Sequence, residues 1–564
     1  MSAVIEFKDF SFRYKTQSEF TLHDINLTIN KGEKVLILGP SGSGKTTLGN
    51  CINGLIPFSF NGEMKGSCKV CGLETRDASI FKISEHVGTV QQDTNAQFVG
   101  LTVGEDIAFS LENDMTPRDI MLQKVDESAT IVGMEKFLSS VPYNISGGQK
   151  QKVALAGILH NDVEILLFDE PLAALDPAMG MSAVDLIDKI YREKEKTVLI
   201  IEHRLEDVLY RHVDRIILVN EGRIILDTTP DELLRSDILK TNGIREPLYI
   251  TALKNAGITF DEKDVLSNIE KLDVERYKDK ITADFHKVDI RDNIEKKEKF
   301  IEVKNVSFNY GEIEALKNIS FDIYKGEKIA VVGKNGAGKS TLAQLLCGIL
   351  RPKSGEILIN GENYLKYSIK ELSAFVGYVM QNPNQMLVKD IIRDEIEVAL
   401  QLNDFSPEDI EERVESTLKM AGLYPMRNWP VSVLSYGQKK RVTIAAILAL
   451  RPQVIILDDP TAGQDYHHYT EIMNFITDLN EKYGITILFV THDMYLAIEY
   501  TDRAIVFSDG ELIGDDAVYA ILSNDDIIEK ASLKKISLVT VARKAGLDPK
   551  EYIHYFIKRE REAA

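Results

Sequence analysis

The chain has 564 residues, enough for two large domains or three to four ordinary ones, and its 44% hydrophobic and 27% charged residues are typical of a folded globular protein. Because 67 Lys and Arg face 87 Asp and Glu, the net charge is −20, which argues against a nucleic-acid partner. No apolar run reaches the ~18 residues of a membrane span and the first residues do not resemble a signal peptide, so a cytosolic chain is expected.

An apolar strand predicted at residues 35–38 leads into a glycine-rich loop. The loop matches the G-x-x-x-x-G-K-[ST] pattern and consists of Gly39, Pro40, Ser41, Gly42, Ser43, Gly44, Lys45 and Thr46, followed by Thr47. Glycines let such a loop curl so that backbone N–H groups and a helix N-terminus point at phosphates. Lys45 is expected to reach the β- and γ-phosphates of a nucleotide, and the Thr46 hydroxyl is expected to bind Mg²⁺.

Cys68 and Cys71 form one C-x-x-C pair in the segment that follows. A structural zinc site needs four ligands, and no second pair or histidine cluster follows at zinc spacing, so neither a metal nor a redox role is expected here. The chain has four cysteines in total, too few for a disulfide framework, which fits a reducing compartment.

Two further apolar runs end beside polar groups. Residues 165–168 are followed by Asp169 and Glu170, and residues 197–201 lie next to His203. Asp169 fits a carboxylate that holds Mg²⁺, and Glu170 is placed to orient or deprotonate an attacking water. Short apolar runs that alternate with helical stretches predict an α/β fold in which these groups lie at the carboxyl ends of parallel strands.

The same pattern occurs a second time. The loop returns as Gly333, Lys334, Asn335, Gly336, Ala337, Gly338, Lys339 and Ser340, followed by Thr341. Five landmarks, Gln92, Ser146, Asp169, Asp176 and His203, recur 289 positions later as Gln381, Ser435, Asp458, Asp465 and His492. This constant offset indicates duplication. The copies differ in that Asp459 replaces Glu170 and in five extra residues near 57–64 of the first copy.

The repeat predicts the domain boundaries. The first copy spans residues 3–255 and the second spans residues 299–526. Residues 256–298 are predicted to form a charged linker, because residues 261–300 contain 12 acidic and 10 basic side chains. Residues 527–564 are predicted to form a helical tail that packs against the second copy.

With these motifs the chain resembles the ATPase subunits of ATP-binding cassette (ABC) proteins. Their serine-glycine signature, which opens a helix before the acidic strand, is matched by Ser146, Gly147, Gly148 and Gln149 and by Ser435, Gly437 and Gln438. The resemblance implies two P-loop nucleoside triphosphatase domains, each with a parallel-sheet core, an antiparallel β subdomain and a helical signature subdomain. It also implies ATP and Mg²⁺ as ligands and an ATPase coupled to transmembrane transport.

The resemblance further implies residue roles. The expected catalytic side chains are Glu170, His203, Gln92, Asp459, His492 and Gln381. The expected Mg²⁺ ligands are Thr46, Gln92, Asp169, Ser340, Gln381 and Asp458. Tyr14 and Tyr310 are expected to stack on adenine, and Asp176 and Asp465 are expected in a loop that communicates between sites.

Four stretches, residues 103–109, 201–204, 243–249 and 381–385, are similar to tandem ATPases of energy-coupling-factor transporters. In that group an ATPase pair drives a transmembrane scaffold protein, which serves a small membrane protein that captures a vitamin or a transition-metal ion. The resemblance thus implies a peripheral protein on the cytoplasmic face of the cell membrane, with the segment after each glutamine docking the scaffold. The substrate itself is not encoded here.

If the copies pair head to tail within one chain, as in the family, the two ATP sites differ. Site one joins Lys45, Asp169, Glu170 and His203 to Ser435, Gly437 and Gln438, with Tyr436 in place of a signature glycine. Site two joins Lys339, Asp458, Asp459 and His492 to Ser146, Gly148 and Gln149. Losing one methylene shifts a carboxylate by about 1.5 Å, and a ~1 Å misplacement can cost 10²-fold in rate. Site one is therefore expected to hydrolyse faster, unless local geometry compensates and the sites are equivalent.

Two other readings stay open. One is the fused ATPase of a conventional sugar-type ABC importer, which only the four stretches above distinguish. The other is a soluble tandem ABC protein of translation or DNA repair, disfavoured by the nearly neutral linker and the few cysteines.

Overall fold

The computed structural model describes residues 2–92, 97–160, 163–173, 175–290, 298–461 and 464–563, without the side chains of residues 194 and 563. The chain divides into two compact units. Unit 1 comprises residues up to 273 together with 465–467, and unit 2 comprises residues 274–464 and 468–564.

The first copy alternates strands and helices along the chain. Its strands are β1 (Ala3–Tyr14), β2 (Leu22–Asn30), β3 (Lys34–Leu38), β4 (Gly62–Val70), β5 (Leu73–Glu74), β6 (Val87–Val90), β7 (Ile165–Asp169), β8 (Thr197–Ile201), β9 (Arg215–Asn220) and β10 (Arg223–Thr228). Its helices are α1 (Lys45–Ile52), α2 (Leu55–Phe58), α3 (Ile80–Ser84), α4 (Val103–Asn113), α5 (Arg118–Val132), α6 (Gly147–Leu159), α7 (Pro177–Lys194), α8 (Leu205–Val208), α9 (Pro230–Arg235), α10 (Ile238–Thr241) and α11 (Leu248–Asn255).

These strands build two sheets. A six-stranded sheet has the order β10-β9-β3-β8-β7-β6, in which all pairs except β10 with β9 are parallel. An antiparallel sheet has the order β2-β1-β4-β5. The central strands are apolar throughout because both faces of the parallel sheet are covered, and every residue of β3 and β8 is buried. Helices α4, α5 and α6 pack on one another as a separate helical layer.

The second copy repeats this plan. Its strands are β11 (Lys299–Tyr310), β12 (Ile313–Tyr324), β13 (Lys328–Val332), β14 (Ser354–Ile359), β15 (Glu362–Asn363), β16 (Val376–Val379), β17 (Val454–Asp458), β18 (Thr486–Val490), β19 (Arg503–Ser508) and β20 (Glu511–Ala517). From residue 278 onward the helices are α12 (Lys278–Phe285), α13 (Lys339–Leu346), α14 (Ile369–Leu372), α15 (Ile392–Leu402), α16 (Pro407–Met420), α17 (Tyr436–Leu448), α18 (Tyr466–Tyr483), α19 (Met494–Tyr500), α20 (Val518–Ser523), α21 (Asp525–Lys530), α22 (Ser537–Ala545) and α23 (Pro549–Ala563).

The sheets of the second copy have the matching orders β16-β17-β18-β13-β19-β20 and β12-β11-β14-β15. The predicted α/β fold with two similar domains is therefore confirmed. Among the helices of the described ranges, none combines the length and apolar character needed to cross a membrane.

The extra residues of the first copy lengthen its antiparallel sheet. Strand β4 pairs with β1 as far as Tyr14, which lies opposite Gly62. In the second copy the pairing of β11 with β14 ends at Ser307, opposite Ser354. The insertion thus extends the strand ladder up to the tyrosine that is predicted to stack on adenine.

The segment predicted to be a charged linker folds onto the copy that precedes or follows it. In unit 1, Leu266 is buried and its carbonyl accepts a hydrogen bond from the Tyr249 hydroxyl (2.5 Å). In unit 2, Asp284 of α12 accepts hydrogen bonds from Tyr555 and Arg559 of α23, so this segment is joined to the C-terminal tail. Apolar residues spaced among the charges explain this packing; Ile258, Leu272, Val274, Ile281 and Phe285 are also buried.

Candidate functional site

Each glycine-rich loop joins a central strand to a helix, β3 to α1 and β13 to α13. Gly44 and Gly338 precede the helices with φ of 101° and 106°, a conformation that glycine adopts without strain. A Cβ at Gly39 would lie 2.0 Å from the Val219 carbonyl oxygen, so that position has no room for a side chain. The loops therefore expose backbone where phosphates are expected to bind.

The loop lysines are held inside their own loops. Lys45 Nζ donates hydrogen bonds to the carbonyls of Gly39 (2.8 Å) and Pro40 (2.7 Å). Lys339 Nζ donates to Gly333 (2.7 Å) and Lys334 (3.0 Å) in the same way. Burial lowers the pKa of Lys45, while neighbouring carboxylates such as Glu170 oppose that effect. Both copies thus place a buried cationic side chain at the centre of the loop.

The predicted Mg²⁺ ligands meet in pairs. Thr46 Oγ1 donates a hydrogen bond to Asp169 Oδ1 (3.3 Å), and Ser340 Oγ donates to Asp458 Oδ2 (3.3 Å). Burial raises the pKa of both carboxyls, which is the electrostatic setting in which a cation is bound favourably. Hydroxyl and carboxylate oxygens are hard ligands of the kind Mg²⁺ prefers, so these residues fit the metal.

The first copy surrounds its second carboxylate with a glutamine and a histidine. Glu170 Oε2 accepts a hydrogen bond from Gln92 Nε2 (2.6 Å), and Glu170 Oε1 lies 3.9 Å from His203 Nδ1. Fully buried Glu202 lies closer to that histidine, with Oε1 3.2 Å from His203 Nδ1. Burial raises the pKa of Glu170, although the neighbouring His203 lowers it. Glu170 is thus oriented by an amide and is not paired tightly with a cation.

The second copy pairs its carboxylate directly with the histidine. Asp459 Oδ2 and His492 Nδ1 are 3.2 Å apart. Burial alone would raise the pKa of Asp459, but His492 and Lys339 outweigh it and the pKa is lowered. Glu170 and Asp459 have φ of 49° and 37°, a strained conformation for residues other than glycine, and it recurs at corresponding positions of both copies.

Two residues around the site of the second copy, Tyr378 and Lys440, were not predicted, and neither was the contact that Tyr436 makes there. Tyr378, from β16, donates a hydrogen bond to Asp458 Oδ2 (2.7 Å). Lys440 Nζ donates to the carbonyls of Met380 (2.9 Å) and Gln381 (2.8 Å), and burial lowers its pKa to about 8. The Tyr436 hydroxyl also donates to the Gln381 carbonyl (3.1 Å). Only the missing signature glycine at Tyr436 was visible in the sequence, because the other contacts come from distant elements.

The two signatures begin their helices in the same way. Ser146 caps α6 and Ser435 caps α17, each in a capping box with the glutamine three residues later, Gln149 or Gln438. Tyr436 therefore leaves the serine and the first turn of α17 in place.

The loop aspartates both precede long helices. Asp176 caps α7 by accepting a hydrogen bond from the Met179 N–H (2.9 Å), and Asp465 is buried immediately before α18.

The predicted adenine-stacking tyrosines have different surroundings. The Tyr14 hydroxyl lies 3.0 Å from Thr47 Oγ1, and its ring contacts Phe60 edge to face at 6.2 Å between centroids. Tyr310 donates a long hydrogen bond to Gln344 (3.5 Å) and is 47% exposed. The insertion of the first copy supplies Phe60, so only Tyr14 is buttressed from that side.

The strand, glycine loop and helix with its buried lysine, present in both copies, define the class of the protein: a P-loop nucleoside triphosphatase with two nucleotide-binding domains. The family model described as ABC transporter matches residues 22–173 and 316–462, together more than half of the chain. A second model, described as ATP-binding cassette cobalt transporter, matches residues 236–308.

Full-length relatives agree with the family models. An ABC transporter ATP-binding protein of Clostridium perfringens, CPE1583, is 54% identical over 100% of this chain and 99% of its own length. One from Enterococcus faecalis is 51% identical over 99% of both chains. A solved structure described as cbiO1 of Clostridium perfringens, part of the ABC transporter complex cbiONQ, is 36% identical and covers 42% of this chain and 94% of its own, with a TM-score of 0.38.

The chain therefore belongs to the family of ABC transporter ATP-binding proteins. It is a tandem ATPase that binds ATP and is coupled to transport, and the resemblance stated from the sequence is confirmed.

Proposed function

We propose that the chain is the ATP-hydrolysing subunit of an energy-coupling-factor transporter that takes up a small nutrient, either a vitamin or a transition-metal ion. The match of residues 236–308 to a model described as a cobalt transporter supports this branch of the family. One observation supports the ATPase role above all. In both copies a buried loop lysine, a hydroxyl–carboxylate pair and a second carboxylate lie together at the carboxyl ends of the parallel strands.

In this proposal the loops bind the triphosphate. Lys45 and Lys339 exchange the loop carbonyls that they now contact for oxygens of the β- and γ-phosphates. Backbone N–H groups of the loops and the N-termini of α1 and α13 donate to the same phosphates. Tyr14 and Tyr310 stack on the adenine rings.

Mg²⁺ is proposed to be held in each copy by a hydroxyl–carboxylate pair, Thr46 with Asp169 and Ser340 with Asp458. Gln92 and Gln381 are proposed as further ligands. When bound, the ion neutralises charge that develops on the phosphates. Tyr378 adds a donor to Asp458 in the second copy and thereby fixes the orientation of that carboxylate.

The second carboxylates are proposed to position the attacking water. Glu170, oriented by Gln92, accepts a proton from water as the water oxygen bonds to the γ-phosphorus and the bond from that phosphorus to the β–γ bridging oxygen breaks. His203 contributes a donor near the γ-phosphate. Asp459 and His492 are proposed to do the same in the second copy, with the carboxylate held against the histidine.

We further propose that each ATP is completed by the signature of the other copy, with Ser146 or Ser435 at the γ-phosphate and Asp176 and Asp465 in the loops that communicate between sites. The shared capping boxes of α6 and α17 support equal phosphate-binding chemistry in both signatures. The differences at Glu170 and Asp459 therefore decide which site hydrolyses faster, and we assign the faster turnover to the site that contains Glu170.

The chain is proposed to lie on the cytoplasmic face of the cell membrane, bound to a transmembrane scaffold subunit and, through it, to a substrate-capturing membrane subunit. Its charge of −20 disfavours direct attraction to anionic lipids, so a protein partner should provide the attachment.

The test is affinity purification of the tagged full chain from detergent-solubilised membranes of its native host, followed by mass spectrometry. We expect a scaffold protein and a small capture protein to co-purify in reproducible ratio, also with a double variant, Lys45→Ala and Lys339→Ala, that lacks ATPase activity. Recovery of a sugar-type permease pair, or recovery only in the cytosolic fraction without membrane protein, would overturn the assignment.

A further inference from the structure

Three side chains that commonly ligate metals meet at one edge of the first copy, outside the predicted ATP site. Cys71 lies in the turn between β4 and β5, His86 immediately precedes β6, and Glu164 immediately precedes β7. One ligand atom from each lies within 4.8 Å of the other two, and His86 Nδ1 is 3.5 Å from Glu164 Oε1. All three residues are partly buried.

This cluster lies at the amino ends of strands β6 and β7, whereas the ATP-site residues lie at the carboxyl ends of the parallel strands. Strands β6 and β7 are parallel neighbours, with Val87 opposite Ile165. Glu164 stands at the start of β7 and Asp169 at its end, so about 16 Å of extended strand separates the cluster from the predicted Mg²⁺ ligand. The cluster is therefore a separate feature of the first copy.

Backbone hydrogen bonds hold the three residues in place. The N–H groups of Glu164 (3.1 Å) and Ile165 (2.9 Å) both donate to the His86 carbonyl. The Cys71 N–H donates to the Val4 carbonyl (2.7 Å), and the Thr197 N–H donates to the Glu164 carbonyl (3.0 Å). These bonds fix the backbone positions from which the three side chains extend, so a ligand that joins them would have to order the side chains alone.

The second copy keeps this backbone but not the side chains. Asn360, Phe375 and Gln453 occupy the corresponding positions before or between β14, β15, β16 and β17. The N–H groups of Gln453 (3.0 Å) and Val454 (2.9 Å) donate to the Phe375 carbonyl, as their counterparts do to His86. The Phe375 ring instead packs on Tyr367, with centroids 5.3 Å apart. The fold itself therefore does not require a thiol, an imidazole and a carboxylate at this edge.

We propose that Cys71 Sγ, His86 Nδ1 and a carboxylate oxygen of Glu164 form a binding site for a divalent transition-metal ion of the Zn²⁺ or Co²⁺ type, with water as the fourth ligand. Thiolate, imidazole and carboxylate are the donors that such ions take. Metal–ligand bonds of about 2.0–2.3 Å place tetrahedral ligand atoms roughly 3.3–3.8 Å apart, which the His86–Glu164 separation already satisfies.

Two effects act on the proposed ligands: burial and the neighbouring Glu164 raise the pKa of the Cys71 thiol to about 11, and Lys31 lies beside Glu164. Lys31 Nζ contacts the second oxygen of Glu164, Oε2, at 3.4 Å, and the lysine is 57% exposed, so the pair is weak and leaves Oε1 available. Binding requires the Cys71 thiol to release its proton to solvent as the sulfur–metal bond forms. Cys68 does not take part, because its side chain is fully buried with its sulfur near the Cys51 carbonyl. In this proposal the C-x-x-C pair supplies one ligand and not two, whereas the sequence alone predicts no metal role.

The experiment is a Co²⁺ titration of the reduced, nucleotide-free full chain, followed by absorption spectroscopy. We expect a thiolate-to-cobalt charge-transfer band in the near ultraviolet, together with intense visible bands of a four-coordinate ion, and we expect Zn²⁺ to displace them. Co²⁺ bound at the predicted Mg²⁺ ligands produces no thiolate band, since those ligands are oxygens and amides.

The control variants follow from the second copy. Cys71→Ser should abolish the charge-transfer band. Glu164→Gln should weaken Co²⁺ binding by more than the roughly tenfold that loss of an outer-shell partner of a metal ligand costs. The triple variant Cys71→Asn, His86→Phe and Glu164→Gln carries the residues of the second copy at these positions. It should fold, with an unchanged circular dichroism spectrum and ATPase rate, but it should not bind the ion. Absence of the band at saturating Co²⁺ in the wild-type chain, or its persistence in Cys71→Ser, would overturn the proposal.

Discussion

The carboxylate that follows the proposed Mg²⁺ aspartate is Glu170 in the first copy and Asp459 in the second, and the two side chains have different partners. Glu170 accepts a hydrogen bond from the Gln92 amide, whereas Asp459 lies against His492. The backbone is the same at both positions, because each N–H donates to the last residue of the neighbouring strand, Ile201 or Val490. Two differences accompany the change of partner: the glutamate is longer by one methylene, and Glu202 lies 3.2 Å from His203 Nδ1 where the second copy has Thr491.

The second copy also adds donors to the residues around its site. Tyr378 contacts Asp458, and Lys440 holds the backbone on either side of the Met380–Gln381 peptide. At the position of Tyr378 the first copy has Thr89, whose hydroxyl is buried and has no hydrogen-bond partner among the described residues. We therefore expect the residues of the second site to be held more firmly than those of the first.

The largest expected effect comes from the two carboxylates. Glu170→Gln should lower the ATPase rate of the assembled transporter by about 10²-fold, because it removes the proton acceptor of the site to which we assign the faster turnover. Asp459→Asn should lower the rate less than about threefold. Both are measured as phosphate release at saturating Mg-ATP, with nucleotide binding to each variant as the control for folding. Equal losses in the two variants would show that the sites are equivalent.

The fold and the main contacts of the site follow from local sequence patterns. Glycine spacing predicts the loops that enclose Lys45 and Lys339, and apolar runs predict the strands that end at Asp169 and Asp458. Phosphate loops are short segments whose conformation depends on their own glycines, so residues adjacent in sequence suffice to predict them.

Contacts between distant elements were not predictable in the same way. Cys71, His86 and Glu164 lie 15 and 78 residues apart along the chain, and only the parallel pairing of β6 with β7 brings the last two together. Residues 261–290 are rich in charge, yet their apolar residues recur at a spacing that buries Ile281 and Phe285. Composition alone gives the number of charges in a segment and not the face of the helix on which they lie.

A smaller effect is expected from the hydroxyl of Tyr378. Tyr378→Phe removes a hydrogen bond to a charged group, worth about 1.5 kcal/mol, and should weaken Mg-ATP binding to the second copy by about tenfold. The measurement is Mg²⁺-dependent binding of a fluorescent ATP analogue in a Lys45→Ala background, which silences the first copy. Thr89→Val is the matched control, since that hydroxyl has no described partner, and it should change affinity little in a Lys339→Ala background. Unchanged binding in Tyr378→Phe would show that Asp458 is oriented without the tyrosine.

The smallest expected effect concerns Phe60, which only the insertion of the first copy provides. An edge-to-face aromatic pair contributes about 0.5–1 kcal/mol, so Phe60→Ala should weaken ATP binding to the first copy by about two- to fivefold through a less ordered Tyr14. Inorganic tripolyphosphate has no adenine and should bind the variant as it binds the parent chain. ATP binding to the second copy should also stay the same, because that copy lacks the insertion and the Tyr310 ring packs on Phe308. If tripolyphosphate affinity fell equally, Phe60 would be supporting the loop and not the tyrosine, and the difference between the copies would lie in phosphate binding instead of adenine stacking.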